Sequence, residues 1–85
     1  MRLTKKVVEQ LLAMNDGFEA STHFQSKNFT ESRMYKIIGG VLHFRSAGKT
    51  SWADSRFDKL HVAAPEHTRR FLKRFLDQLR TDGLD

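Results

Sequence analysis

Two adjacent glycines, Gly39 and Gly40, separate two segments in which apolar and polar side chains alternate. Glycine accepts the positive φ angles of a two-residue β-turn without a steric cost. The pair therefore predicts a tight hairpin that joins a strand at 33–38 to a strand at 41–47. This hairpin constrains the fold more than any other feature, because it fixes which residues of the two strands face each other.

The pairing sorts the side chains of the hairpin onto two faces. With the glycines as the turn, residues such as Tyr35 and Phe44 lie directly opposite each other. Four apolar side chains then share one face: Tyr35, Ile37, Leu42 and Phe44. The other face carries Lys36, His43 and Arg45, with Met34, Ile38 and Val41 near them. A shift of one residue would mix these sets, so the sorting supports the register.

Amphipathic segments lie toward both ends of the sequence. Thr4 is a suitable N-cap for a helix that runs to about Met14, and Gly17 suits the left-handed position after its end. Pro65 suits the first position of a second helix, which we expect to extend up to Gly83. The apolar stripe of this second helix consists of Phe71, Leu72, Phe75, Leu76 and Leu79.

The segments between these elements give weaker signals. Phe18, Ala20, Thr22 and Phe24 alternate with polar residues, which predicts a third strand with these four side chains on its buried side. Polar residues at 26–32 predict a connection, and Gly48-Lys49-Thr50 is interpreted as a turn rather than a phosphate-binding loop. Because loops as long as 48–64 are uncommon, we expect a short extra strand or helical turn there, around Trp52 or at 60–62.

The predicted fold is a single α+β domain that spans residues 1–85. It has an N-terminal helix, a three-stranded antiparallel sheet with its hairpin at Gly39-Gly40, and a C-terminal helix, with both helices on one face of the sheet. This order of elements is similar to that of double-stranded-RNA-binding domains and of other small folds. The lysine-rich helix start of that family does not precede Phe71, and we assign the chain to no family.

The composition limits which disulfides, metal sites and membrane segments we expect. The chain has no cysteine, which excludes disulfides and thiolate metal sites. It has neither a hydrophobic run of about 20 residues nor an apolar signal segment after Met1, so we expect a cytosolic protein without membrane attachment. His23 and His43 lie on the same predicted face, but no third ligand accompanies them, and we predict no metal and no cofactor.

Positive charge is concentrated in two stretches. Residues 32–53 and 67–76 contain eight Lys or Arg and no acid, whereas the whole chain has a net charge of +5. Such clusters are typical of surfaces that contact phosphates. The predicted nucleic-acid-binding residues are Arg69, Arg70, Lys73, Arg74, Lys36, Arg45 and Lys49. Phe29 and Trp52 are candidates for stacking on unpaired bases, with core packing as the alternative.

The sequence leaves three functions open. The first is a non-enzymatic nucleic-acid-binding or regulatory module that binds DNA or RNA. The second is a protein-interaction module, which would use a basic surface toward an acidic partner, or the exposed Ile38 and Val41, and which could form homo-oligomers. The third is a small metal-free ribonuclease-like enzyme, with His43 as acid or base and Arg45 or Lys36 at the phosphate.

The predicted fold sets the two basic surfaces apart. If both helices cover the apolar side of the sheet, the charged stripe of the last helix points away from the sheet, and Lys36 and Arg45 point out on the opposite side. One duplex could not easily contact both surfaces.

Overall fold

The computed structural model describes residues 2–27, 29–50, 56–57 and 59–84, with the backbone alone at 48–50 and 56–57. Its elements, in chain order, are α1 (Lys5–Met14), β1 (Glu19–Gln25), β2 (Phe29–Ile38), β3 (Val41–Thr50), β4 (Arg56–Phe57), β5 (His61–Val62) and α2 (Pro65–Arg74). The predicted α+β class is confirmed, with one helix on each side of the strands in sequence.

The sheet is antiparallel, in the order β1-β2-β3-β4, and β5 also pairs with β3. Gly39 and Gly40 have φ angles of +59° and +75°, as a two-residue turn with positive φ at both positions requires. Tyr35 pairs with Phe44, and each neighbouring pair follows the predicted register. The hairpin prediction is therefore confirmed residue by residue.

Both long strands extend further than predicted. Strand β2 begins at Phe29 rather than at Arg33, and β3 continues to Thr50, so the expected connection at 26–32 and the expected turn at 48–50 are wrong. The actual turn is short, and the Ser26 amide donates to the Phe29 carbonyl at 2.8 Å. Backbone pairing holds these extensions in the sheet, and at 29–32 of β2 the side chains of both faces are exposed or half-buried, so the apolar alternation is lost.

Beyond the end of β3, the described residues of segment 48–64 include two short strands. The extra strand expected at 60–62 is present as β5, in which His61 pairs with Phe44 and Val62 pairs with His43. Strand β4 was not predicted, and it pairs with β3 at Ala47 and Gly48. Trp52 lies outside the described residues. Strand β3 thus receives partners along both of its edges.

Helix α1 begins and ends as predicted. The Thr4 side chain accepts a hydrogen bond from the Val7 amide at 3.2 Å, so Thr4 is the N-cap. Gly17 has a φ of +86° and follows the helix end. Beside it, the buried Asn15 side chain accepts from the Arg80 amide at 2.8 Å and donates to the Arg80 carbonyl at 3.0 Å. Asn15 therefore ties the C-terminal segment to α1.

Helix α2 is shorter than predicted, because it ends at Arg74 instead of extending to Gly83. Phe75 follows with φ −102° and ψ 16°, and the chain continues in turns. The apolar stripe survives this change, since Phe71, Leu72, Phe75 and Leu79 are buried and Leu76 packs against them. The Leu79 amide still bonds to the Phe75 carbonyl at 3.2 Å, so a turn presents Leu79 to the core at the spacing a helix would give.

One core cluster joins both helices to the sheet. We call the side of the sheet that carries Tyr35, Ile37 and Leu42 the inner face and the other side the outer face. The buried residues of the cluster are Val7, Leu11, Tyr35, Ile37, Leu42, Ala63, Phe71, Leu72, Phe75 and Leu79. The Phe18 ring packs edge-on against Phe71 and Phe75, with centroids 6.2 and 6.4 Å apart.

The inner face extends beyond this core. Phe24 has the predicted facing, opposite Glu31, but its side chain is 59% exposed, so the prediction that it is buried is wrong. Phe29 is 38% exposed on the same side. The molecule measures 49 × 23 × 19 Å, and the core cluster takes no residue from the far ends of β1 and β2. Among the described residues, no helix is long and apolar enough to cross a membrane.

Candidate anion-binding site between the sheet and the last helix

A cavity of about 410 Å³ lies on the inner face, between the sheet and α2. Its polar lining comes from β1, β2 and α2: Thr22, Arg33, Tyr35, His67, Arg70 and Arg74. The rings of Phe44, Phe71 and Phe75 complete the wall. No acidic side chain lines this cavity within the described part of the chain. We call it the arginine cavity, since three arginines from two elements meet there.

Helix α2 supplies one side of the arginine cavity. His67, Arg70 and Arg74 follow each other at intervals of three and four residues, so they lie along one face of the helix. The guanidinium carbon of Arg74 lies 5.7 Å from the centroid of the Phe75 ring, a cation–π contact that holds the side chain beside the cavity. Neither Arg70 nor Arg74 has an ion-pair partner among the described residues.

Strand β2 supplies the opposite side through Arg33. Arg33 pairs with Thr22 of β1 and Ser46 of β3, two positions along the inner face from Tyr35. Its Nε lies 3.2 Å from a Glu31 carboxylate oxygen, an ion pair without hydrogen-bond geometry. The Tyr35 hydroxyl, by hydrogen bonding, and then the Glu31 charge raise the pKa of Arg33. Arg33 is therefore a partly buried cation whose charge is offset in part by Glu31.

A polar contact joins the two sides. The Tyr35 hydroxyl and Nε2 of His67 share a hydrogen bond of 3.1 Å, and the His67 ring packs on Phe44 with centroids 4.9 Å apart. Burial lowers the pKa of His67, and the charges of Arg33 and Arg70 lower it further. The imidazole is thus neutral at pH 7 when the cavity is empty, and an anion placed among these groups would favour its protonation.

Exposed aromatic rings continue the site along the inner face. On β2, Arg33 is followed toward the strand start by Glu31 and then Phe29 on the same face, and Phe24 lies directly across from Glu31. Phe24 and Phe29 are both exposed. The inner face therefore carries two exposed aromatic side chains beyond Arg33, beside the acidic side chain of Glu31.

The predicted basic stripe of α2 divides into two pairs. Arg70 and Arg74 line the arginine cavity, so the expectation that the whole stripe points away from the sheet is wrong. Arg69 and Lys73 line a separate groove next to Leu3, where a guanidinium nitrogen of Arg69 donates to the Leu3 carbonyl at 3.2 Å. Arg70 borders both places.

The predicted basic residues of the hairpin lie elsewhere. Lys36 and Arg45 are on the outer face, where the Lys36 ammonium is 3.2 Å from a Glu19 carboxylate oxygen. A guanidinium nitrogen of Arg45 lies 3.9 Å from the Met34 sulfur. The Lys49 side chain is outside the described residues. The structure therefore keeps Lys36 and Arg45 away from the arginine cavity.

His23 and His43, which the sequence places on one face of the sheet, contact different neighbours. Nδ1 of His43 lies 3.0 Å from the Val41 carbonyl, and Nδ1 of His23 lies 2.9 Å from the Ser32 hydroxyl. No group of three potential metal ligands occurs among the residues that the structure describes. The histidine that lies beside arginines is His67 rather than His43.

Sequence reasoning missed Arg33, Tyr35 and His67 as site residues. The signals were available, since Arg33 shares strand parity with Tyr35, and His67 shares a helix face with Arg70. Counting charges by stretches of sequence placed Arg33 in one group with Lys36 and Arg45. In the structure, however, Arg33 is on the inner face and the other two are on the outer face.

Comparisons of the sequence and of the fold with known proteins found no matching protein family, curated protein or solved structure.

Proposed function

We propose that this chain is a non-enzymatic module that binds single-stranded nucleic acid along the inner face of its sheet. The observation that carries the proposal is the meeting of Arg33, Arg70 and Arg74 around one cavity without an acidic lining residue. Guanidinium groups bind phosphate oxygens in pairs and keep their charge at any physiological pH. Three of them at one site favour a polyanion over a neutral ligand.

The exposed rings favour an unpaired strand over a duplex. Phe24 and Phe29 lie on the same face as Arg33 and are 59% and 38% exposed. Stacking an unpaired base on such a ring contributes about 1 to 3 kcal/mol, whereas a duplex hides its base faces within the stack. A strand that crosses from the arginine cavity to these rings would satisfy phosphate and base contacts together.

A second candidate is protein interaction through the outer face. Five apolar side chains are exposed on or next to this face: Met34 at 42%, Ile38 at 42%, Val41 at 40%, Leu60 at 48% and Val62 at 63%. Met34, Ile38 and Val41 belong to the hairpin, and Val62 pairs with His43 of β3. These exposed side chains therefore lie near one another. Exposed apolar patches of this kind mark protein contacts.

The test is binding of fluorescent single-stranded RNA and DNA that lack a terminal phosphate, measured by anisotropy across a range of salt. R70Q/R74Q should weaken binding by about tenfold at low salt and reduce the salt slope by about 0.7 for each phosphate that the variant no longer neutralises. R69Q/K73Q is the matched control, because it removes the same charge from the same helix at the other groove. It should change affinity by less than about threefold.

Equal decreases in affinity for the two variants would show that net charge alone drives binding and would contradict the site. A duplex bound more tightly than either single strand would contradict the role of Phe24 and Phe29. Absence of binding to every nucleic acid at low salt, together with self-association or capture of a protein that is abolished in I38D, would favour the second candidate.

A further inference from the structure

We infer that the arginine cavity holds a terminal phosphate, the phosphomonoester at one end of a nucleic-acid strand. This inference rests on the proposed function and names the part of the ligand that the cavity takes. A phosphomonoester carries a charge of about −1.5 to −2 at pH 7 and has three strong acceptor oxygens, whereas an internal phosphodiester carries one negative charge.

The charge of the cavity matches a dianion. Three arginines line it, and among the described residues the Glu31 carboxylate pairs with Arg33 but is not part of the lining. Two positive charges, those of Arg70 and Arg74, are thus left without an ion-pair partner among the described residues. An internal phosphodiester, with one negative charge, would balance one of these two exposed arginines, whereas a dianion would balance both.

The donors of the cavity also suit three terminal oxygens. Besides the arginines, the hydroxyl-bearing residues Tyr35 and Thr22 line the cavity, and protonation gives the His67 ring a second N–H donor. These groups approach from β1, β2 and α2, so they converge from several directions. An internal phosphate exposes fewer free oxygens, because two of its four are bonded to sugars.

The small size of the cavity favours the end of a strand. At about 410 Å³ it lies toward the small end of the range for pockets that hold small molecules. Its lining comes from three strands of the sheet and from the α2 segment, and includes the rings of Phe44, Phe71 and Phe75. A strand of nucleic acid that ends in the cavity leaves its remaining nucleotides free to lie along the sheet toward Phe24.

The experiment compares oligonucleotides of one sequence that carry a 5′ phosphate, a 3′ phosphate or no terminal phosphate. Affinity is measured at pH 7.5, where the monoester is a dianion. We expect at least tenfold tighter binding for one phosphorylated end. R70K/R74K keeps the charge but cannot make the paired guanidinium bonds to oxygen, and it should remove most of this gain, whereas R69K should retain it. Thermal unfolding of each variant verifies that the fold is intact.

The outcomes separate this inference from the proposed function. Equal affinities for all three oligonucleotides, with binding still sensitive to R70Q/R74Q, would overturn the terminal phosphate and leave single-strand binding in place. Competition by millimolar inorganic phosphate that abolishes only the gain from the terminal phosphate supports the inference. If free phosphate or a mononucleotide binds as tightly as the phosphorylated oligonucleotide, the cavity serves a small ligand, and the inference is wrong.

Discussion

The Tyr35 hydroxyl is hydrogen-bonded to Nε2 of His67 at 3.1 Å, which links the middle of the sheet to the first turn of α2 beside the arginine cavity. The Tyr35 ring also packs on Phe71 with centroids 4.7 Å apart, so its position is fixed by the core. The same residue thus contributes to the core through its ring and to the site through its hydroxyl. Arg33 lies two residues before Tyr35 on the same face of β2.

Stability should fall in mild acid because of His67. Burial, then Arg33 and Arg70, lower its pKa in the folded state below the ordinary value of 6.5. The unfolded chain therefore binds more protons in the window just below 6.5, and the stability that neutral His67 provides is present above that pH and is lost as the pH falls through the window. Urea unfolding at pH 7.5, 6.5 and 5.5 measures the effect.

H67Q is the control for this decrease in stability, because glutamine is polar and does not titrate. It should show a smaller drop in unfolding free energy between pH 7.5 and 5.5 than the unmodified chain, since the other histidines are the same in both. Equal drops would mean that His67 does not carry the pH dependence.

F75A should destabilise the fold by about 3 to 5 kcal/mol. Phe75 is buried, and its ring lies 4.8 Å from Phe71 and 6.4 Å from Phe18 by centroid distance, so the truncation opens a cavity where α2 meets the start of β1. F75L, which keeps most of the volume, should cost much less. Chemical denaturation measures both, and a decrease under about 1 kcal/mol for F75A would show that the end of α2 does not dock as described.

The hairpin and the helix starts could be predicted from the sequence because local chemistry determines them. Gly39-Gly40 accepts the positive φ angles of a two-residue turn, and the burial of Tyr35 and Ile37 on one side fixes the register. The early start of β2 could not be predicted, since Thr30 and Ser32 are polar and only backbone pairing places them. The end of α2 at Arg74 could not be predicted either, because the turn after it keeps the apolar residues at helical spacing as far as Leu79.

The grouping of the candidate site residues depends on how α2 packs on the sheet, which could not be predicted from the sequence. The positions of Arg70 and Arg74 on one helix face could be predicted, but nothing in the sequence sets the height of α2 along the sheet. The position of α2 along the sheet decides whether Arg33 lies near Arg70 and Arg74. This position follows from the packing of Phe71 on Tyr35 and of Phe75 on Phe18.

The chain should not cleave RNA. His67 is the one imidazole that lines the arginine cavity among the described residues, so a second histidine to share the removal and donation of protons is lacking there. Incubation of purified protein with labelled RNA in EDTA should leave the RNA intact. Cleavage that disappears in H67Q or in H43A would establish the ribonuclease-like alternative, with the histidine identified by the variant.

The most direct test of a site on the inner face compares R33Q with R45Q. Both arginines belong to the central strands and each substitution removes one charge, but Arg33 lines the arginine cavity and Arg45 lies on the outer face next to Met34. R33Q should weaken binding of single-stranded RNA by about tenfold, R45Q by less than about twofold, and R33K should bind more tightly than R33Q. Equal decreases in affinity, or a larger decrease in R45Q, would contradict the placement of the site.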